Sequence, residues 1–296
     1  MVYPFYIVDV FAVEKYTGNQ LAVFSDAREM TASQMQDFAK EINFSETTFI
    51  NPEPDRDQAY KVRIFTPNQE LPFAGHPTLG TAFIIREFLQ AKTAENQTIT
   101  LRLNVGQIPV RCEVSAEDDP IFWMLQNQPE FGERVSAETV ASVLNITPEE
   151  INPNLPIQEV STGIYFLVVP INSLETLKKI KVNLEAYYQL IASLQAKSIL
   201  VFCPETYSEE NDLCVRVFAD YLGIPEDPAT GSANGCLAAY LVSNQSFLNQ
   251  KGNLTVKVEQ GYEINRPSRL FLKANPSQIE IGGKVKLIAQ GSFLNS

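Results

Sequence analysis

The sequence predicts a strand-rich α+β chain made of two similar halves, each enclosing a buried helix between antiparallel strands. Three observations carry this reading. Short runs of β-branched and aromatic residues recur along the chain, separated by clusters of Gly, Pro, Asn and Asp. Two segments, Pro77 to Leu89 and Ser232 to Val242, are apolar or small almost all round, as a helix buried on every side must be. Finally, the strings leading into those two segments repeat.

In chain order the strand-like runs are Tyr6–Phe11, Leu21–Phe24, Thr47–Ile50, Lys61–Phe65, Thr98–Leu103, Pro109–Val114, Ile121–Leu125, Ile164–Val169, Ile199–Phe202, Leu213–Phe218, Leu254–Glu259, Arg269–Lys273 and Ile279–Ile281. Helical spacing is clear in Thr31–Ile42, which opens on a capping Thr, and in Ser136–Leu144. Thr147-Pro148-Glu149-Glu150 is a helix-start signature, and Leu174–Leu194 is expected to hold two surface helices.

The repeat sets the domain organisation. Val62-Arg63-Ile64-Phe65 recurs as Val215-Arg216-Val217-Phe218, and each is followed by Glu-x-Pro-x-x-Gly, ending at Gly75 and Gly231. The two glycines stand 156 positions apart, about half of the 296 residues, and the second copy has a loop three residues longer. Duplication of one domain accounts for this. The expected division is 1–116, joined by a C-terminal strand at about 283–296, and 117–282.

Composition excludes several classes. Lys and Arg total 23 against 35 Asp and Glu, a net charge of −12, and the basic residues are scattered, so nucleic acid is not expected as a partner. The first residues lack a signal-peptide pattern and no apolar run reaches the roughly 18 residues of a membrane span, so a soluble, cytoplasmic protein with no membrane partner is expected. The cysteines Cys112, Cys203, Cys214 and Cys236 have no C-x-x-C spacing and a single His stands beside them, so no metal site is expected.

In both repeats a tight Gly turn delivers the chain into a helix N-terminus, with Pro77 preset for the first turn and Ser232 suited to capping. Free N–H groups there attract a carboxylate and stabilise a developing enolate. If the halves face each other, both helix starts open into one cleft, the usual place for a ligand. His76, the sole histidine, follows Gly75, where the helix dipole favours a neutral ring able to pass a proton. Ser232 takes the matching place after Gly231, and Asp227 precedes it on the feeding loop, where a turn role is the plainer alternative. Ser45 and Glu46 precede an apolar strand; a Glu there is usually solvated, but facing an apolar cleft it makes a general base or acid.

These residues also carry a family resemblance. Asn43-Phe44-Ser45-Glu46-Thr47-Thr48-Phe49, Glu70-Leu71-Pro72-Phe73-Ala74-Gly75-His76-Pro77-Thr78-Leu79-Gly80 and Gly223-Ile224-Pro225-Glu226-Asp227-Pro228-Ala229-Thr230-Gly231-Ser232-Ala233 resemble the signatures of the PhzF-type, phenazine biosynthesis-like family. The start, Asp9-Val10-Phe11 with Gly18-Asn19-Gln20-Leu21-Ala22-Val23-Phe24, is similar too. The resemblance implies the diaminopimelate epimerase-like fold: two pseudo-symmetric halves, each a curved antiparallel sheet around a central helix. It implies a homodimeric isomerase that uses no cofactor and moves a proton on a small carboxylated substrate such as trans-2,3-dihydro-3-hydroxyanthranilate. Glu46 is then the acid/base, assisted by His76, Asp227 and Ser232, with Ser45, Gly75 and Gly231 binding substrate. Ala219-Asp220 departs from the Ala-Pro frequent in the family, which puts substrate choice in question. The racemising relatives use a thiol at each helix mouth, where this chain has His76 and Ser232, and Cys236 four residues further on is read as core. A thiol-independent epimerase or racemase, and a ligand-binding protein without catalysis, are the competing readings.

Overall fold

The structure is a computed structural model that describes residues 2–90, 96–114 and 119–294. The chain divides into two compact units, Met1–Leu125 with Gly282–Ser296, and Gln126–Ile281. The domain break expected between 116 and 117 lies outside the described residues.

The first stretch runs β1 (Val2–Val10), β2 (Asn19–Phe24), α1 (Ala32–Ile42), β3 (Thr47–Ile50), β4 (Ala59–Phe65), the two-residue β5 (Glu70–Leu71), α2 (Gly75–Ile84), β6 (Gln97–Leu103), β7 (Gly106–Glu113) and β8 (Ile121–Leu125). It continues with β9 (Glu130–Arg134), α3 (Ala137–Leu144), β10 (Gln158–Ser161), β11 (Tyr165–Pro170), α4 (Leu174–Lys179), α5 (Leu184–Ser193), β12 (Ser198–Cys203) and β13 (Leu213–Ala219). The last stretch is β14 (Ile224–Asp227), α6 (Gly231–Ser243), β15 (Leu254–Gln260), β16 (Ser268–Asn275), β17 (Gln278–Gly283) and β18 (Val285–Leu294).

Pairing shows that the duplication extends well beyond the repeated strings. In the first unit β18, β1, β2, β3, β4, β6 and β7 lie side by side in that order, antiparallel except for the parallel pairs β2–β3 and β4–β6. In the second, β9, β10, β11, β12, β13, β15 and β16 follow the same order and sense, with parallel pairs β11–β12 and β13–β15. A parallel pair needs a crossover connection. In each unit one crossover is a surface helix, α1 or α4 with α5, and the other is the apolar helix itself, α2 or α6.

The two apolar helices are enclosed as their composition demands. α2 packs against β1, β2, β3, β6, β7, β8 and β18, and α6 against β10, β11, β15 and β16. Leu79 and Ile84 of α2 and Leu237, Tyr240 and Leu241 of α6 are fully buried, each contributing roughly 2 kcal/mol by leaving water. Gly80 lets the strands approach closely, since a Cβ there would lie 2.6 Å from Leu21 and 2.8 Å from Val10. α2 ends at Ile84 and continues as one wide turn over Ile85–Leu89, closed by Gln90 N–H on the Ile85 carbonyl.

The surface helices obey their caps. Thr31 and Gln34 form a reciprocal capping box on α1, and Ser136, Ser173 and Asn183 accept backbone N–H groups at the starts of α3, α4 and α5. The Thr147 signature caps only a 3-10 turn, Pro148–Glu150, because Ile151 turns extended to bridge Ile171. Strands β9, β10 and β14 carry charged residues or Pro and show no clean alternation, so they stand outside the sequence expectation. Glu159 on β10 is fully buried, its carboxylate taken up by the N–H groups of Glu133 and Ala196.

Gly261, between β15 and β16, sits at φ +80°, and a Cβ there would fall 2.4 Å from the Arg266 carbonyl oxygen and 2.6 Å from that of Pro228. Backbone oxygens cannot rotate away. Gly261→Ala is therefore expected to lower stability by about 2 kcal/mol or more, read as a reduced urea midpoint at unchanged m-value.

Candidate active site

In the first unit Asn43 closes α1 in the left-handed conformation, its N–H on the Ala39 carbonyl. The chain then passes through Phe44 and Ser45 and enters β3 at Thr47, which lies beside Ala22 in parallel register. Glu46 is thus held at the entrance of a buried strand. Its side chain is only 14% exposed, and its Oε2 lies 3.6 Å from Nε2 of His76, just beyond hydrogen-bonding distance. Behind the pair, Thr81 of α2 donates to Thr48 of β3 at 2.8 Å, tying helix to strand.

His76 occupies the second position of α2, after Gly75, and is almost wholly buried. Its Nε2 lies 3.3 Å from the Gln20 carbonyl oxygen. A carbonyl can only accept, so Nε2 carries the proton and Nδ1 keeps a lone pair. Burial pulls the imidazolium pKa down to about 3, against the opposing pull of the Gln20 carbonyl. The helix start has no side-chain cap: Ala74 is the N-cap, and the Thr78 hydroxyl donates back to the Ala74 carbonyl. Helix geometry leaves the N–H groups of Gly75 and His76 without intrahelical acceptors, and Pro77 has none to satisfy.

The second unit repeats the frame with other side chains. Asp227 is the last residue of β14, opposite Val217 of β13, and is buried. Its Oδ2 accepts from the Thr230 hydroxyl. Thr230 is the N-cap of α6, with its hydroxyl turned to Asp227 and no side-chain cap bond; Ser232 lies two residues into the helix and is not the cap expected of it. Gly231 and Ser232 hold the same first and second helical positions as Gly75 and His76. Gln260 fixes this mouth from β15: its Nε2 donates to the Asp227 carbonyl at 2.8 Å and to Thr230 Oγ1 at 3.0 Å, while its Oε1 accepts from Thr230 N–H and from Asn234.

Thr230, Asn234 and Gln260 did not stand out in the sequence. Thr230 adjoins the repeat glycine and could have been marked by position, but Gln260 reaches the mouth from 30 residues away through the parallel pairing of β15 with β13. Cys236 is fully buried on α6, its pKa pushed up to about 12 by burial, which unsuits it as a base at neutral pH. Among the described residues no group of three or more His, Cys, Asp or Glu side chains could hold a metal ion, and no helix is long and apolar enough to cross a membrane.

Two units of one fold, each presenting a buried helix with no side-chain cap and a carboxylate near its start, define the class. The profile of the family described as phenazine biosynthesis-like protein matches residues 8–291, and the chain belongs to that family. An uncharacterised isomerase of Clostridium acetobutylicum is 33% identical, over 99% of this chain and 98% of that protein. The trans-2,3-dihydro-3-hydroxyanthranilate isomerase of Pseudomonas aeruginosa is 29% identical, over 96% and 97%. The crystal structure of a PhzF-family protein of Bacillus anthracis superposes with a TM-score of 0.88 at 28% identity, covering both chains completely. The relatives place this chain in an isomerase family with the fold that the sequence predicted.

His76 is the only histidine, so its ring gives one imidazole signal. With a folded pKa near 3 against an ordinary 6.5, no titration of that signal is expected between pH 8 and 5. The unfolded chain takes up this proton below pH 6.5 while the folded one does not, so His76 costs stability progressively as pH falls toward 3, by up to about 1.4 kcal/mol per pH unit. NMR titration and urea unfolding at pH 7 and 5, compared with His76→Gln, check both points.

Proposed function

We propose that this chain is a cofactor-independent isomerase that moves a proton and shifts a double bond on a small carboxylated substrate similar to trans-2,3-dihydro-3-hydroxyanthranilate. The observation that carries the reading is Glu46, sheltered at the entrance of β3, 3.6 Å from a buried His76 at the open start of α2. A carboxylate base and a neutral imidazole at a helix mouth suit removal of a carbon-bound proton, because the negative charge that develops meets backbone N–H groups and a positive dipole end.

In this mechanism Glu46 takes the proton from one carbon, the electron pair moves through the adjoining double bond, and Glu46 returns the proton to another carbon on the same face. One base is enough, and atoms and electrons balance without an oxidant or reductant. His76, neutral with Nε2 protonated, adjusts charge beside Glu46. In the first unit the Gly75 amide, with Ser45, is the candidate contact for the substrate carboxylate or the delocalised charge; in the second, the Gly231 amide with Ser232 offers a contact of the same kind. Asp227, fixed by Thr230, offers an acceptor to a donor group on the substrate. Support for the reaction class comes from the relatives named isomerase, and for the substrate type from the Pseudomonas aeruginosa enzyme.

Proton NMR in D2O with trans-2,3-dihydro-3-hydroxyanthranilate tests the reading. Conversion with solvent deuterium in the product is expected, and Glu46→Gln is expected to slow it about 100-fold or more. Undiminished turnover by the variant would remove Glu46 from its role.

A further inference from the structure

Each unit carries the same ion pair between the strand of the repeat and the short strand after it. In the first unit Arg63 of β4 forks onto Glu70 of β5, Nε to Oε1 at 2.7 Å and Nη2 to Oε2 at 2.6 Å, and the guanidinium lies over the Phe65 ring at 5.1 Å. In the second, Arg216 of β13 forks onto Glu226 of β14 at 2.9 and 2.7 Å and lies over Phe218 at 4.9 Å. The second pair is nearly buried, and the remaining Arg216 nitrogen donates to the carbonyls of Leu177 and Ile180 at the end of α4.

The spacing shows what the pairs hold. Glu70 stands five residues before Gly75 and Glu226 five before Gly231, whereas the Arg-to-Glu separation is seven residues in one unit and ten in the other. The extra length of the second loop is therefore absorbed before the Glu, and the segment from Glu to helix is kept. Opposite residues in a strand pair alternate faces, and slipping by one would turn them over. Glu226 is held on the Arg216 side, so Asp227, opposite Val217, projects from the other face toward Thr230. A buried ion pair is weak support for stability, since apolar residues of similar size often serve as well, and fixing register is its better-attested use.

We propose that the Arg63–Glu70 and Arg216–Glu226 forks are positioning devices for the two helix mouths, Arg63 and Glu70 for His76, and Arg216 and Glu226 for Asp227 and Ser232. The inference rests on the function proposed above only for its kinetic consequence. The geometric consequence stands apart from it.

The test replaces both partners at once, as Arg63→Met with Glu70→Met and Arg216→Met with Glu226→Met; Arg216 also lies 3.8 Å from the nearly buried Glu263, so the second variant carries Glu263→Gln as well and no buried charge is orphaned. The first pair is about a quarter exposed and the less demanding of the two for folding. The expected result is a folded protein with kcat reduced about 10- to 100-fold, KM changed far less, and a displaced His76 imidazole signal in the first variant. The reversed pair, Arg63→Glu with Glu70→Arg, rebuilds the fork and is expected to restore both. Folded Met variants that keep kcat and the His76 signal overturn the proposal. If the parent protein does not turn over trans-2,3-dihydro-3-hydroxyanthranilate, the substrate reading fails, and the His76 signal alone decides: a shift in the Met variant that reverses in the swapped one supports positioning, and no shift overturns it.

Discussion

Everything in this chain is arranged around a helix that has no polar face. α2 and α6 cannot stand at a surface, so each unit curls strands about its own helix and covers it with Val, Leu, Ile and Phe side chains. A helix enclosed in this way still has backbone N–H groups at its start that no residue of the helix can satisfy. Those groups are left at the mouth, beside Ala74 and Thr230, where neither N-cap side chain takes them up. Each mouth is thereby left polar by the same constraint that builds the core.

Duplication has kept this frame and let the side chains diverge. The two units agree in strand order, in the sense of each pairing, in the Arg–Glu fork and in the glycine that opens the helix. They differ where chemistry is expected. The second helical residue is His76 in one unit and Ser232 in the other, and the residue after the paired Glu is Leu71 in one and Asp227 in the other. The carboxylate beside His76 comes from a different element, the entrance of β3. One unit thus presents a carboxylate beside a neutral imidazole, and the other a carboxylate held by Thr230, with its backbone carbonyl on Gln260.

Much of this was legible in the sequence because it is local. The repeat, the apolar helices, Gly75 with His76 and Gly231 with Ser232 all show as short strings, and the helix caps at Thr31 and Ser136 need no distant partner. What escaped depends on residues far apart in sequence. Ser232 looked like a cap because the string alone does not say whether the helix opens at Gly231 or only at Ala233, which tertiary packing decides. Gln260 and Asn234 are unremarkable until β15 lies beside β13. Strands β10 and β14 break the apolar alternation because Glu159 is buried against backbone amides and Glu226 against Arg216, so charged residues occupy places where a pattern reading expects apolar ones, and β9 breaks it because it lies almost wholly exposed. The Arg and Glu of the repeat were visible as letters, but their pairing across strands was not.

The proposed function stands on the open start of α2 binding the substrate carboxylate beside Glu46 and His76. Titration of 15N-labelled protein with 3-hydroxyanthranilate, a planar amino-carboxylate close in shape to the proposed substrate, with the backbone amides followed, is the direct test. The Gly75 and His76 amides are expected to shift along one saturable curve. Saturable shifts elsewhere that leave both of these amides unmoved would contradict the proposal.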